Sequence, residues 1–349
     1  MDSVTEMLGL KGLTLLGARR AGQGWLLEVQ AAGQRPCCPY CGAAAERQYR
    51  HGWRMRYVAH LPLGLEPCDL LVRFARLRCQ QCRRTHTPPV PGIARRARLS
   101  GSLRHCVQGL IAQCQLAVAQ LARWLQLGWN ALWRCVQAAP PPRLDDVRHL
   151  CLDEVFYREP RQYLTVLSCA DGRALDVELG RGEQPARRLL ARLPAPVRQQ
   201  VETLATDFSL GQRKAALSCL PHADVVADCF HLVRLARRAV RLSLPAQRDT
   251  ARLAVRQLRA LLRSRDQRAL YAWLKRWRQA AGPLKTLWKT VSQWELEIEG
   301  YLTTGRSTGP AEALNRRIAL LRRQACGYTN LDNFTKRIML LNCSLHPQR

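Results

Sequence analysis

Three acidic residues at the ends of predicted strands and helices most constrain how this chain can fold. Asp153 lies near the end of the apolar run 148–154, and Asp207 directly follows the apolar run 201–206. Glu312 opens an amphipathic helix further along the chain. Acids on strand ends and a neighbouring helix can converge and hold two hard cations about 3.5 to 4 Å apart, as phosphodiester cleavage requires. The three residues therefore predict a metal-dependent site for phosphoryl transfer.

The segment that carries Asp153 and Asp207 predicts alternating strands and helices. Strands are predicted over 149–156, 163–170, 173–179, 201–206 and 224–227, and helices over 184–193 and 210–220. This order builds a mixed sheet with helices on its faces. If the first and fourth strands pair, the two aspartates lie side by side, which is the arrangement of an RNase H-like mixed α/β catalytic core.

Charge limits the classes of partner. The chain has 55 Lys and Arg against 26 Asp and Glu, a formal net charge of +29. Nucleic acid is the favoured polyanion, because the basic residues are spread along the chain and not gathered beside an apolar segment. No apolar run reaches about 18 residues and no basic-then-apolar leader opens the sequence, so we expect a cytoplasmic protein with no membrane partner.

Two Cys-x-x-Cys pairs predict a metal site within residues 1–100. The predicted ligands are Cys38, Cys41, Cys79 and Cys82. Two such pairs can hold one structural Zn²⁺ tetrahedrally, and the alternating segment 46–78 between them suits a small antiparallel sheet, which together indicate a zinc ribbon. Three further residues could each replace a ligand, namely Cys37, Cys68 and His86.

Residues 101–147 are predicted to form a helix-turn-helix followed by a linker. Apolar residues recur at helical spacing from 102 to 137. Four of them fall where the two helices of such a motif pack together, namely Ala122, Leu127, Leu132 and Cys135. The proline-rich run 139–143 is then a stiff domain boundary.

The second helix of this motif is the candidate for reading DNA. It is predicted to begin with Asn130 as its N-cap, and Asn130, Arg134 and Gln137 are the candidates for base contacts. Gln126 stands where the turn usually has glycine. An ordinary helical hairpin is therefore the alternative interpretation.

Residues 245–304 are predicted to be an all-helical insertion that divides the catalytic core into 148–244 and 305–349. Four tryptophans punctuate it, namely Trp273, Trp277, Trp288 and Trp294. Large aromatic residues at helical spacing usually belong to a core, although they could also stack on unpaired bases. Glu295, Glu297 and Glu299 are a rival source of the third metal ligand, but their alternation favours a solvated face.

The last helices carry basic candidates for contacts with the DNA backbone. These are Arg316, Arg317, Arg322, Arg323, Lys336 and Arg337. The alternative is that they form the solvated side of those helices. Arginine and lysine position a protein on DNA through phosphates without reading the sequence of the bases.

Several motifs together resemble the ISL-three family of bacterial insertion-sequence transposases, of the DDE class, over nearly the whole chain. They are Cys-Pro-Tyr-Cys-Gly at 38–42, Leu-Asp-Glu at 152–154, Thr-Asp at 206–207, Asp-Cys-Phe-His-Leu-Val at 228–233, Gly-Pro-Ala-Glu-Ala-Leu-Asn at 309–315 and Gly-Tyr at 327–328. The family usually has other residues at Cys229, Ala313 and Arg316. The resemblance implies a catalytic triad of Asp153, Asp207 and Glu312 that holds two Mg²⁺ or Mn²⁺ ions.

The pair Asp228 and His231 also resembles the C/D-x-x-H signature of Mutator-like transposases. Residues three apart at the start of a helix share one face and could position the DNA end. The alternative is an ordinary Asp N-cap with a histidine in the first turn.

The motifs together predict a multidomain α+β transposase that binds the terminal inverted repeats of its element and target DNA. Magnesium-dependent nicking would free a 3′-hydroxyl, which then attacks the target in strand transfer. A homodimer is expected, because two ends must be paired before joining. The alternatives are a domesticated DNA-binding protein that keeps the fold without catalysis, and an RNase H-like nuclease without strand transfer.

Overall fold

The computed structural model describes residues 3–33, 36–306, 308–325 and 328–343, so Gly327 of the predicted Gly-Tyr motif lies outside the described residues. The chain divides into two compact units. The first unit ends at Ala139 and also includes Cys343, and the second is Pro140–Asn342. The finer division into five segments stays a prediction.

The first unit is built on a five-stranded sheet in the order β1-β2-β4-β3, with β5 paired to β4. Its strands are β1 Leu13–Ala21, β2 Gly24–Ala31, β3 Gln48–Leu63, β4 Glu66–Cys79 and β5 Thr85–His86, preceded by helix α1 Ser3–Met7 and, before β3, by a 3₁₀ turn Ala45–Arg47. The predicted antiparallel sheet between the cysteine pairs is confirmed, since β3 and β4 form a long hairpin. The sequence did not predict β1 and β2, because most of β1 is exposed and lacks the alternation of a half-buried strand.

Three helices complete the first unit: α2 Gly101–Gln113, α3 Val118–Trp124 and α4 Trp129–Gln137. The prediction that Asn130 is the N-cap of the last helix is wrong. Gly128 holds the extended backbone of the cap, at φ −64° and ψ 138°, and Asn130 lies inside the first turn. Gln126 adopts a left-handed φ of 53°, which explains why glycine is usual at that position.

The second unit contains a mixed five-stranded sheet in the order β10-β9-β6-β7-β8. Its strands are β6 His149–Arg158, β7 Gln162–Cys169, β8 Ala174–Leu179, β9 Thr203–Thr206 and β10 Asp224–Ala227. The meander β6-β7-β8 is antiparallel, whereas β9 runs parallel to both β6 and β10. All five strands were predicted within a few residues of these bounds, because each is a buried apolar run that ends in turn residues.

Helices cover the sheet and form a separate bundle. Those between the strands are α5 Glu183–Arg192, α6 Ala195–Gln200 and α7 Leu210–Cys219. The bundle is α8 Cys229–Leu242, α9 Pro245–Ser264, α10 Gln267–Arg276, α11 Gly282–Gln293 and α12 Glu295–Thr304, and the chain then continues with α13 Gly309–Gln324 and α14 Leu331–Leu340. Among the described residues, no helix is long and apolar enough to cross a membrane.

The tryptophans of the bundle confirm the interpretation as core residues. Trp273, Trp277 and Trp294 are buried in the apolar core that α8 to α12 share, and Trp288 packs against it. The indole N–H of Trp273 donates to the carbonyl of Ala254 over 2.8 Å. A buried indole with a satisfied N–H is a structural residue, so these side chains are engaged within the bundle.

The prediction of a solvated glutamate face on α12 is wrong for Glu297, which is 4% exposed. Residues two apart on a helix point in different directions, so alternation in sequence does not place these acids on one face. Glu297 Oε1 lies 2.6 Å from Arg213 Nε of α7, and that guanidinium also stacks over Trp294. Burial raises the pKa of the Glu297 carboxyl, and the charge and hydrogen bond of Arg213 act against this shift.

Replacing Arg213 with methionine is expected to lower the free energy of unfolding by about 3 kcal/mol, because it leaves a buried carboxylate without its partner. The midpoint of urea denaturation measures this loss. Arg187→Met is the matched control, since Arg187 pairs with the half-exposed Glu183 at the surface and should cost less than about 1 kcal/mol. Equal losses for the two variants would contradict a role for Arg213 in holding α12 to α7.

Candidate functional site

Parallel pairing of β6 with β9 brings the first two predicted acids together. Leu152 is opposite Thr206 in the register, so Asp153 and Asp207 are the next residues on neighbouring strands. Neighbouring strands lie about 4.8 Å apart. Asp207 directly follows β9, and Asp153 lies in the middle of β6, just beyond the stretch that pairs with β9. The sequence predicted that the two aspartates would lie side by side if the first and fourth strands paired, and these strands do pair.

Glu312 reaches the same place from helix α13. Ala311 packs with Cys151 and Ala205 of the sheet, and this contact seats the first turn of the helix beside the strand ends. The three acids line one cavity of about 510 Å³. The structure therefore brings together residues that are as far apart in sequence as Asp153 and Glu312.

The carboxylate of Asp153 is held from two sides. Its Oδ1 accepts from the backbone N–H of Glu154 over 2.7 Å, and its Oδ2 accepts from Asn315 Nδ2 over 2.5 Å. Burial, and then the charge of Asp207, raise the pKa of Asp153 to about 7. A carboxylate of this kind gains from a nearby positive charge, because a cation compensates both the lost hydration and the repulsion.

Asp228 and His231 lie directly beside Asp207. His231 Nδ1 is 2.5 Å from Asp207 Oδ1 and 2.7 Å from Asp228 Oδ2. Burial alone would lower the pKa of His231, but the two carboxylates outweigh it and raise the pKa to about 10. The imidazolium therefore lies between two acids and orients Asp207. Asp228 also accepts from the backbone N–H of Phe230, so the predicted N-cap is present together with the contact to the catalytic candidate.

Asp207, Asp228 and His231 offer three ligand atoms within 4.8 Å of one another, so this group could also be considered for a metal ion. The short distances from His231 Nδ1 to both carboxylates are those of direct contacts. An ion bound at about 2.1 Å to each atom would push the atoms further apart. We therefore interpret Asp228 and His231 as residues that position Asp207, and not as metal ligands.

Sequence reasoning missed Asn315, although it stands in the motif around Glu312. Besides the bond to Asp153, its Oδ1 is buried and has no partner among the described residues. The available signal was its spacing, since a residue three positions after Glu312 on a helix shares its face.

Glu154 was also missed as a functional residue. Its Oε1 accepts from the backbone N–H of Gly182 over 3.0 Å and from Gln212 Nε2 over 3.2 Å, and its Oε2 lies 3.3 Å from Arg181 Nε. These contacts fix the segment before α5 and the helix α7 around the cavity. No pattern in the sequence indicated them, because the partners are distant along the chain.

The predicted zinc ligands form one cluster. Cys38, Cys41, Cys79 and Cys82 offer sulfur atoms within 4.8 Å of one another. The Sγ atoms of Cys38 and Cys82 are 3.7 Å apart, as are those of Cys41 and Cys79. Thiolates at about 2.3 Å from a tetrahedral Zn²⁺ are separated by about 3.8 Å, so the four sulfurs fit that ion.

The three candidate substitute ligands lie outside the cluster. Cys68 is buried in the core of the first sheet, and Cys37 is exposed. His86 Nε2 is 2.6 Å from Gln48 Oε1, and Gln48 Nε2 in turn donates to the carbonyl of Pro36. These two residues brace the chain next to the first cysteine pair.

The candidates for DNA contacts differ in their surroundings. On α4, Asn130, Arg134 and Gln137 are all exposed. On α13, Arg323 is exposed and Arg316 lies 3.6 Å from Glu312 in the cavity. These five side chains are accessible to a ligand.

Three other basic candidates are engaged within the second unit. Arg317 donates to the carbonyl of Leu341 over 3.1 Å, and Arg322 stacks over the ring of Phe156 at 4.5 Å. Arg337 is only 5% exposed. The prediction that Arg337 contacts DNA or lies on a solvated face is therefore wrong, because α14 packs this side of the helix into the core.

Two family models match the chain, and both describe transposases. Residues 150–268 and 249–338 match the family DDE_Tnp_ISL3, described as a transposase, and residues 34–82 match the zinc-finger of transposase IS204/IS1001/IS1096/IS1165. The chain belongs to the ISL3 family of DDE transposases. Together with the four clustered thiols, the second match supports a structural Zn²⁺ in a zinc ribbon.

Individual relatives are more distant. The chain is 27% identical over 202 residues to the transposase for insertion sequence element IS1001 of Bordetella parapertussis. This similarity covers 56% of the chain and spans about half, 49%, of that relative. Among solved structures, the Drosophila P element transposase strand transfer complex matches over 70% of this chain and 77% of that chain, with 13% identity and a TM-score of 0.25. A TM-score this low carries no argument about the fold.

Proposed function

We propose that this protein is an insertion-sequence transposase that cuts element ends and joins them to target DNA through Asp153, Asp207 and Glu312. The observation that carries the proposal is that the middle of β6, the end of β9 and the first turn of α13 deliver these three acids to one cavity. Family membership supports the same activity. We further propose that the sheet order, with β6 between a parallel and an antiparallel neighbour, is that of an RNase H-like core.

The donor set suits magnesium or manganese. Carboxylate oxygens are the ligands that these hard ions prefer, and a cation would offset the burial and the charge of Asp207 that raise the pKa of Asp153. Asp153, Asp207 and Glu312 would hold the ions. Two bound ions supply charge stabilisation for the attacking and leaving oxygens of an in-line displacement at phosphorus.

Other side chains of the cavity prepare the site. Asn315 and the backbone N–H of Glu154 fix the Asp153 carboxylate, and His231 fixes Asp207 with help from Asp228. Arg181 and Arg234 line the same cavity and can neutralise a bound phosphate. No protein nucleophile is needed, because water and then the freed 3′-hydroxyl attack phosphorus.

The first unit would recognise the element ends. We propose that the zinc ribbon and a helix-turn-helix formed by α3 and α4 bind the terminal inverted repeats, with Asn130, Arg134 and Gln137 toward the bases. The exposure of these three side chains supports this role. A homodimer would pair the two ends for joining.

Labelled element-end DNA tests the proposal directly. Incubated with the full chain and Mg²⁺, it should acquire a nick that leaves a 3′-hydroxyl, and added target DNA should be joined to that end. Specific binding of the end without any nick would instead identify a domesticated DNA-binding protein. Nicking without joining would identify a nuclease.

Replacing Asn315 with alanine is expected to weaken Mn²⁺ binding roughly 10- to 100-fold, because second-shell partners orient the ligating carboxylate. Calorimetric titration of the protein with Mn²⁺ in the absence of DNA measures this directly. Gln324→Ala is the control, since Gln324 is exposed at the far end of the same helix. Unchanged affinity in Asn315→Ala would contradict a positioning role.

A further inference from the structure

Helix α8 has four arginines in a row that begins at the cavity of the three acids and extends along the helix. Its first turn contains His231, and the next turns contain Arg234, Arg237, Arg238 and Arg241. Spacings of three, four and seven residues place side chains on one face of a helix. The row therefore begins next to the candidate catalytic residues and continues along the bundle.

Three neighbouring cavities show that this row lines a continuous groove. The cavity that holds the three acids shares five lining residues with a second cavity of about 500 Å³, namely Glu154, Arg181, Asp207, His231 and Arg234. The second shares Arg234 and Leu235 with a third of about 540 Å³. The third is lined by the four arginines and Leu235. The groove thus leads from the acids to a wall made almost wholly of guanidinium groups.

The arginine row forms no ion pairs with acidic residues in the part of the chain that the structure describes. All four arginines are exposed, and none has an acidic partner within 4.0 Å among the described residues. Helix α5 is different. There Arg187, Arg188 and Arg192 each pair with a nearby Glu or Asp.

This arrangement has a cost for the helix. Like charges three or four residues apart destabilise a helix by about 0.2 to 0.5 kcal/mol per pair, and the row contains several such pairs. Only the last residues of the row are favoured by the negative end of the helix dipole. A bound anion would remove this cost, and the α8 row differs from other unpaired arginines of the bundle in lining the groove that begins at the cavity of the three acids.

We propose that the groove along α8 binds the phosphate backbone of the DNA strand that runs into the catalytic cavity. This inference rests on the proposed function and adds the path of the substrate. Arg234 to Arg241 span about 10 Å at 1.5 Å per residue, which corresponds to about three phosphates of one strand at 3.4 Å each. The groove contacts phosphates and not base edges, so it contributes affinity without sequence preference.

The test is a triple variant, Arg237→Gln with Arg238→Gln and Arg241→Gln, which leaves Arg234 in the catalytic cavity untouched. Binding of labelled element-end DNA is measured in EDTA over a range of salt concentrations. Three lost phosphate contacts should reduce the slope of log K against log salt by about 2.7 for duplex DNA, or by about 2.1 for a single strand. Affinity near 0.1 M salt should fall roughly 100-fold.

The matched control removes the same charge elsewhere on the bundle, as Arg256→Gln with Arg263→Gln and Arg268→Gln. These arginines are exposed and line none of the three cavities. The control should change the slope by less than about 1. A third protein with lysine at 237, 238 and 241 should restore most of the slope, which separates loss of charge from loss of folding.

The outcomes distinguish a failure of the groove proposal from a failure of the proposed function. If the groove variant and the control lower the slope equally, or if the lysine variant stays as weak as the glutamine variant, the groove proposal is overturned while nicking by the unchanged protein still supports a transposase. If the unchanged protein neither binds nor nicks element ends, the proposed function fails, and the groove proposal fails with it.

Discussion

Asp153→Asn should reduce the rate of nicking of element-end DNA by roughly a thousand-fold, because an amide is a poor ligand for a hard cation. Stabilisation of transition-state charge by bound metal is worth several kcal/mol, and about 4 kcal/mol corresponds to that factor in rate. Glu312→Gln should have a loss of similar size, since it removes a carboxylate from the same cavity. The measurement is a single-turnover assay with saturating protein, so that weaker DNA binding does not enter the rate.

Asp224→Asn is the control for this experiment. Asp224 is exposed and begins β10, at the end of the parallel strands opposite to the cavity. Its replacement should leave the nicking rate within about twofold. Binding of element-end DNA in EDTA should persist in Asp153→Asn, which shows that the variant is folded. Equal nicking by Asp153→Asn and the unchanged protein would refute the assignment of the acids.

The second large effect is expected at the cysteine cluster. Cys79→Ser should abolish stoichiometric zinc and unfold the part of the first unit around the two cysteine pairs. Structural zinc in small domains binds with an apparent free energy on the order of 10 kcal/mol, which is available only to the folded form. Burial raises the pKa of the Cys38 thiol, but hydrogen bonds from the backbone N–H groups of Tyr40 and Cys41 and from the neighbouring thiols of Cys82 and Cys41 outweigh this and lower the pKa.

Metal analysis and hydrogen exchange test this prediction. The unchanged protein should contain one zinc per chain, and amides of the β3–β4 hairpin next to the cluster should lose protection when a chelator removes the ion. Cys37→Ser is the matched control, because Cys37 is exposed, adjacent to Cys38 and outside the cluster. It should keep its zinc and its protection. Full zinc content in Cys79→Ser would contradict the assignment.

The elements of the second unit could be predicted because their signals are local. Each strand from β6 to β10 is a short apolar run between turn residues, and the acids Asp153, within the first run, and Asp207, directly after the fourth, are visible in the sequence. The two Cys-x-x-Cys pairs are local in the same way. Residue type and spacing alone carry this information, since the metal chemistry demands particular donors at particular separations.

Errors arose where the outcome depended on neighbours from elsewhere in the chain. Glu297 and Arg337 have the composition of surface residues, yet packing of α12 and α14 buries both. The N-cap of α4 fell on Gly128 and not on Asn130, because the geometry of the preceding turn fixed the start of the helix. Local propensity is only a weak guide once tertiary contacts compete with it.

The sequence by itself determined the donors: three carboxylates on predicted elements, two cysteine pairs and a strong positive charge. Only the tertiary structure decided which atoms meet. It placed Asn315 on Asp153, His231 between Asp207 and Asp228, and the α8 arginines in a groove that opens from the cavity. The physical reason is that hydrogen bonds and screened charges act over a few ångströms, whereas the residues concerned are separated by many positions and are brought together only by strand pairing and helix packing.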